Sequence, residues 1–164
     1  MKLRPTNFLP AGAVQRVMLT DRGPSFAPQK LKGVQKAGIV FEKMFHLNMK
    51  MRFGDMYHQN PWFHFFSEGA WHWCQPDGIL CQPELNLVTI FECKLKHTSR
   101  SWFQLMERYL PVVKAAFGPD FRYNLVEVCK FYDPHSPYPV KAPLLRELTA
   151  SPEAETVGVY VWNK

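Results

Sequence analysis

Two short segments carry side chains able to do chemistry together. Pro76-Asp77 opens one strand-like run, and fifteen residues after Asp77 the tripeptide Glu92-Cys93-Lys94 lies inside the next. Side chains alternate faces along a strand, so Val88, Ile90, Glu92 and Lys94 share one side while Leu87, Phe91, Cys93 and Leu95 share the other. Two charges thus enter an apolar surface together, and a turn at residues 83–86 would bring Asp77 beside Glu92. Burying two carboxylates and an ammonium without compensation is costly, and a divalent cation offsets that cost. Magnesium takes hard oxygen ligands, keeps several waters and is commonly held by one or two carboxylates together with phosphate oxygens. Such an ion acidifies a bound water and neutralises charge growing on a scissile phosphate, while Lys94 would orient the water or stabilise the transition state. The plainer reading of Glu92 and Lys94 is a same-face ion pair on a half-exposed strand. An Asp at a turn, a hairpin and E-x-K inside an apolar strand form a rarer combination than any one part.

These residues need elements to hold them. Apolar positions Val34, Ala37, Phe41, Met44, Phe45 and Leu47 recur at helical spacing, which predicts an amphipathic helix over residues 30–51 with Glu42 beside Phe41. The aromatic runs 57–66 and 70–74, separated by Ser67, Glu68 and Gly69, predict a hairpin. Residues 78–81 and 87–95 read as strands joined by a turn around Pro83 and Asn86, the second buried on both faces. Ser101 with Gln104 three residues later matches a capping box that opens a helix. That helix carries Trp102, Leu105, Met106 and Tyr109 on one side, is kinked or broken near Pro111, and stops at Gly118-Pro119. A strand over 123–131, a proline-rich tail over 133–143, a short helix over 144–148 and an edge strand over 157–162 complete the reading.

The chain has 164 residues, enough for one well-buried core, and 20 Lys and Arg against 14 Asp and Glu give a formal charge of +6. That balance favours a polyanionic partner. The charge is uneven: Lys2, Arg4, Arg16, Arg22, Lys30, Lys32 and Lys36 face only Asp21 over the first 36 residues. We read residues 1–29 as a basic arm and 30–164 as a single domain. Lys30, Lys32, Lys36, Lys96 and Arg100 are the candidate phosphate contacts. No apolar run is long enough to cross a bilayer and no secretory h-region opens the chain, so the expectation is a soluble cytoplasmic protein without a membrane partner. The four cysteines form no C-x-x-C pair and are expected to be free thiols. His72, Cys74 and Cys81 match no standard zinc spacing. The aromatic set Trp62, Phe63, Phe65, Phe66, Trp71 and Trp73 reads as core, as a dimer interface or as a surface that stacks unpaired bases. No nucleophile elbow and no glycine-rich phosphate loop is present.

Pro76-Asp77 and Glu92-Cys93-Lys94, with the helix and strands around them, resemble the PD-(D/E)XK nuclease superfamily over roughly residues 30–131. The resemblance implies an α/β fold with a restriction-endonuclease-like αβββαβ core, a central mixed sheet flanked by helices. It implies hydrolysis of phosphodiester bonds in DNA with Mg2+, or Mn2+ in its place, as cofactor. Asp77, Glu92 and Lys94 would be the catalytic residues. Many members place a glutamate on the first helix, and Glu42 fits that place, making Asp77, Glu92 and Glu42 the implied metal ligands. Some members add a glutamine on the helix after the lysine, but Gln104 departs from their Q-x-x-x-Y spacing to Tyr109 and is read as the cap residue. Small size and a basic arm are similar to phage and archaeal junction-resolving or repair-type members, often dimers, which implies structured DNA as substrate and a homodimer. The competing class is a basic nucleic-acid-binding or assembly protein without catalysis.

Overall fold

The computed structural model describes residues 14–20, 22–24, 33–132 and 157–163. The protein is mixed α/β. A five-stranded mixed sheet runs in the order β2-β5-β6-β7-β8, and a three-stranded antiparallel sheet in the order β1-β3-β4. The strands are β1 (Arg16–Thr20), β2 (Tyr57–Gln59), β3 (Trp62–Ser67), β4 (Ala70–Cys74), β5 (Gly78–Gln82), β6 (Leu87–Lys96), β7 (Arg122–Phe131) and β8 (Val157–Val161). Helix α1 (Gly33–Phe53) precedes β2, and between β6 and β7 run α2 (Ser99–Phe103), a π-helical turn (Gln104–Tyr109) and α3 (Leu110–Phe117). The residues predicted as a proline-rich tail and short helix, and the candidate contacts Lys30 and Lys32, lie outside the described residues. Among the described residues no helix is long and apolar enough to cross a membrane.

Helix α1 buries Phe41, Phe45, His46 and Met49, a stripe at i, i+4, i+5 and i+8, against Tyr57, Leu80, Phe91, Cys93, Val126, Val128 and Trp162. The predicted helix is present and buries Phe41 and Phe45 of the predicted face, but Met44 and Leu47 are 49% and 57% exposed. Two apolar stripes compete on this helix, and the aromatic one wins because Phe41 and Phe45 bring more area to the Trp162 and Phe91 rings. Gly54, at a φ of 56°, takes the left-handed turn that ends the helix. The opposite sheet face, with Ile79, Val88, Ile90, Tyr123 and Leu125, packs against Leu105, Tyr109, Val112 and Val113 of the second helical segment and against Phe63 and Phe65.

The predicted hairpin over 57–66 and 70–74 divides. β3 and β4 pair through the two-residue Glu68-Gly69 turn, both at positive φ, as a tight right-twisting hairpin requires. Residues 57–59 join the other sheet instead, antiparallel to β5. The chain leaves the large sheet at Asn60-Pro61 and returns at Gln75-Pro76, where proline cannot continue a hydrogen-bonded ladder. The neck of this excursion is tied by Asn60 N donating to Asp77 O at 2.8 Å and Gln75 Nε2 donating to Asn60 O at 2.8 Å. β1, from within the predicted basic arm, pairs with β3.

Gly78 shows how closely β2 and β5 pack. A Cβ there would meet the Tyr57 hydroxyl, and Tyr57 is fully buried with that hydroxyl 2.7 Å from His46 Nδ1. Gly78→Ala is therefore expected to destabilise the fold by about 1–3 kcal/mol, the usual range for overpacking. Denaturant unfolding measures it, and adding Tyr57→Phe should recover part of the loss by removing the atom the methyl meets.

Candidate active site

β5 and β6 pair antiparallel in a register that sets Gly78 opposite Phe91, so the residue before Gly78 lies beside the next residues of β6. There the Asp77 carboxylate continues the ladder: its Oδ2 accepts from Cys93 N at 2.6 Å. The predicted alternation on β6 is present, with Phe91 and Cys93 toward α1 and Val88 and Ile90 toward the second helical segment. Glu92 and Lys94 follow the latter parity. Lys94 Nζ donates to Glu92 Oε1 at 2.5 Å, across a side chain that is almost fully buried in Glu92 and about one third exposed in Lys94. Glu92 Oε2 is buried and meets no full hydrogen-bond geometry among the described residues, although the Tyr109 hydroxyl is near enough to favour the charged carboxylate.

Glu42 reaches the same place from α1. The Tyr57 hydroxyl is kept protonated by burial and by the neighbouring Cys93 and Asp77, so it donates to His46 Nδ1. His46 Nε2 then carries the hydrogen toward Glu42 Oε1 at 3.1 Å, which fixes the imidazole tautomer and the carboxylate position. With its amide nitrogen turned inward, Asn60 also donates to Glu42 Oε1 at 3.0 Å, while its backbone holds Asp77. Glu42, Asp77, Glu92 and Lys94 thus lie near enough to act on one another electrostatically, although the three carboxylates do not bring one oxygen each within 4.8 Å of the others. Of the other predicted residues, Lys36, Lys96 and Arg100 are exposed, Lys96 at the end of β6 and Arg100 in the first turn of α2.

The electrostatics follow from this crowding. Burial, then the Glu92 and Glu42 carboxylates, push Asp77 up to about 8, against the pull of the Cys93 amide and Lys94. Burial also raises Glu92, partly opposed by Lys94 and by Tyr109. Burial disfavours the charged Lys94, but the Glu92 carboxylate outweighs it and holds the ammonium above its ordinary value. Two buried carboxyls that resist ionisation share the single ammonium of Lys94, so added positive charge at this place would favour their ionised forms.

The Asp77 shift has a consequence for stability. The carboxyl titrates near 3.8 without the fold and near 8 within it, so the folded chain binds this proton more tightly. The contribution is fully present below about pH 4 and is lost as pH rises through about 8. Asp77→Asn, which mimics the protonated form, should raise the thermal midpoint in chelator relative to the parent above neutral pH, and the gap should close in acid. Thermal unfolding of both proteins from pH 4 to 9 measures this.

The helix after β6 corrects the predicted capping box. Thr98 is the N-cap, its Oγ1 accepting from Ser101 N at 3.4 Å, and Gln104 lies inside the helix at the start of the π-helical turn. In a π-turn residues five apart stack on one side, and Gln104 Nε2 accordingly donates to Tyr109 Oη at 3.3 Å. Gln104 Oε1, like the Ser67, Gln82 and Thr89 side-chain oxygens, is buried with no hydrogen-bond partner among the described residues. Pro111 follows this wide turn, where its missing N–H and its ring are accommodated. Gln104 and Tyr109 are therefore part of the wall beside Glu92, which the cap reading missed.

Sequence reading also passed over Glu127. It lies in β7 opposite Glu92, is fully buried, and accepts from His97 Nδ1 at 2.5 Å and from Thr98 N at 3.1 Å. A lone carboxylate inside an apolar strand is the same signal that marked Glu92. All four cysteines are free, as expected, and burial pushes the Cys74 thiol up to about 12.

Comparison of the chain with models of protein families, with curated proteins and with solved structures finds no match in any of the three.

Proposed function

We propose that this protein is a magnesium-dependent nuclease of the PD-(D/E)XK type that hydrolyses phosphodiester bonds in structured or branched DNA. The observation that carries the reading is the electrostatic coupling of Glu42, Asp77, Glu92 and Lys94 around a largely buried strand, with Glu92 ion-paired to Lys94. Three carboxylates suit a hard divalent ion, with Asp77, Glu92 and Glu42 as its holders. When bound, that ion supplies a more acidic water and counter-charge for the phosphate. Lys94 keeps its proton through Glu92 and presents a positive charge where charge grows on phosphorus-bound oxygens. The water oxygen attacks phosphorus, the P–O ester bond breaks, and the leaving oxygen takes up a proton. Glu42 is kept in place by His46 and Asn60, and Asp77 by the Cys93 amide.

The order of elements supports the same reading. Leaving out the β3–β4 excursion, the chain runs α1, β2, β5, β6, a helix and β7, with three antiparallel strands and the fourth parallel to the third. That order supports the reading of an αβββαβ, restriction-endonuclease-like core. Lys36, Lys96 and Arg100 would contact phosphates. The experiment is incubation with labelled duplex, single-stranded, flap and four-way junction DNA, with magnesium, manganese or chelator. Metal-dependent cutting, strongest on a branched substrate, is the expected result.

A second reading, nucleic-acid binding without catalysis, draws on the outer face of the β3–β4 hairpin. There His64 stacks on Trp73 at 4.0 Å and lies 4.6 Å from Trp71, and Trp71 is 41% exposed. Rings on an open sheet can stack bases. This reading predicts salt-sensitive binding that ignores magnesium, and no cutting on any substrate.

A further inference from the structure

We propose that His97, Glu127 and Cys129 form a second metal site, selective for zinc or a similarly soft divalent ion and separate from the Glu42, Asp77 and Glu92 centre. Glu127 and Cys129 stand two apart on β7 and so share a face, and His97 follows the end of the parallel neighbour β6. One nitrogen, one oxygen and one sulfur donor lie within 4.8 Å of one another. Glu127 and Cys129 are fully buried and the His97 side chain is 6% exposed. Around a tetrahedral zinc these donor types stand roughly 3.5 Å apart, given metal–ligand bonds of about 2.0–2.3 Å. Small side-chain rotations therefore suffice.

The donor set decides the metal. Magnesium prefers oxygen, whereas a thiolate and an imidazole with one carboxylate suit zinc. Charge decides in the same direction. Glu127 supplies one negative charge and Cys129 a second once its thiol proton is lost, and a divalent ion matches the two. With a divalent ion, a thiolate and the carboxylate the set is neutral. On binding, the thiol proton leaves to solvent and the hydrogen between His97 Nδ1 and Glu127 moves to the other ring nitrogen. The thiolate sulfur, Nδ1 and a Glu127 oxygen then bind the ion, and a fourth position remains for water.

The location gives the site a purpose. Cys129 pairs with Lys94 and Glu127 with Glu92 across β6 and β7, so the trio lies one strand from the proposed catalytic residues. It ties the end of β6 to the Thr98 cap of the helix that carries Gln104 and Tyr109. The site is inferred independently of the hydrolytic reading, and its test does not use cleavage.

The test is metal analysis of the purified protein after dialysis against excess magnesium, with cobalt substitution read by absorption. One zinc per chain and a thiolate-to-cobalt charge-transfer band are expected. The band should persist in Asp77→Asn and disappear in Cys129→Ser, and zinc retention should fall at least tenfold in His97→Gln. Absence of both stoichiometric zinc and the band in the parent protein overturns the proposal, because the trio is then held by protons alone. A band that survives Cys129→Ser also overturns it. If a variant does not fold, the parent spectrum and the remaining variant decide.

Discussion

Glu92→Gln is expected to lower DNA cleavage by about 10^3-fold while leaving the metal-free fold within about 1 kcal/mol of the parent, since replacing a buried charge by a neutral isostere relieves desolvation. The separation of the two effects follows from the environment of Glu92. Its Oε1 is held by Lys94 and its Oε2 meets no hydrogen-bond geometry among the described residues, so burial leaves the carboxylate only partly compensated. Gln gives up the Lys94 ion pair, but it also gives up a charge that burial disfavours. With magnesium the comparison reverses, because the amide cannot replace an anionic ligand and the ion should no longer raise the thermal midpoint. Single-turnover cleavage and thermal unfolding with and without magnesium measure both halves. Equal cutting by parent and variant would remove Glu92 from the mechanism.

Lys94→Met should cost both activity and stability. Activity should fall by about 10^2- to 10^3-fold through loss of the positive charge beside the reacting phosphate. Stability should fall by about 2–3 kcal/mol, below the usual cost of breaking a buried pair because Lys94 is partly open to solvent. The loss arises because Glu92 remains buried without its counter-ion. Glu92→Gln in the Lys94→Met background should therefore restore much of the stability and none of the activity. This cycle isolates the pair, since each member of it is the other's principal partner. A double variant no more stable than Lys94→Met would show that the pair does not govern this part of the fold.

Much of the site was legible because its signal is local. Asp77, Glu92 and Lys94 are polar residues breaking an apolar pattern, and strand alternation alone puts Glu92 and Lys94 on one face. Glu42 could be placed only through the resemblance, because nothing in the sequence of the helix distinguishes it from an ordinary solvated glutamate. The partners that hold it, Asn60 and the His46–Tyr57 pair, come from a neck and a strand whose positions depend on pairing between distant segments. The same dependence explains the divided hairpin. Residues 57–66 are uniformly aromatic and extended, and only the Asn60-Pro61 step marks the change of sheet. The place of Gln104 is not legible because Ser101 and Gln104 match a capping box while Thr98, followed three residues later by Ser101, caps the helix without one, and because a π-turn has no simple sequence period. Met44 and Leu47 fit the helical spacing as well as Phe41 and Phe45 do, and only the shape of the opposing core chooses between them.

The most direct test of the central claim compares parent and Asp77→Asn side by side on one labelled four-way junction, with binding and cutting followed in the same preparations with magnesium and with chelator. The account predicts that both proteins bind the junction, that only the parent cuts it, and that chelator abolishes the cutting. Magnesium-independent cutting, or cutting that survives Asp77→Asn, would contradict it, as would a parent that binds DNA and cuts none with either magnesium or manganese.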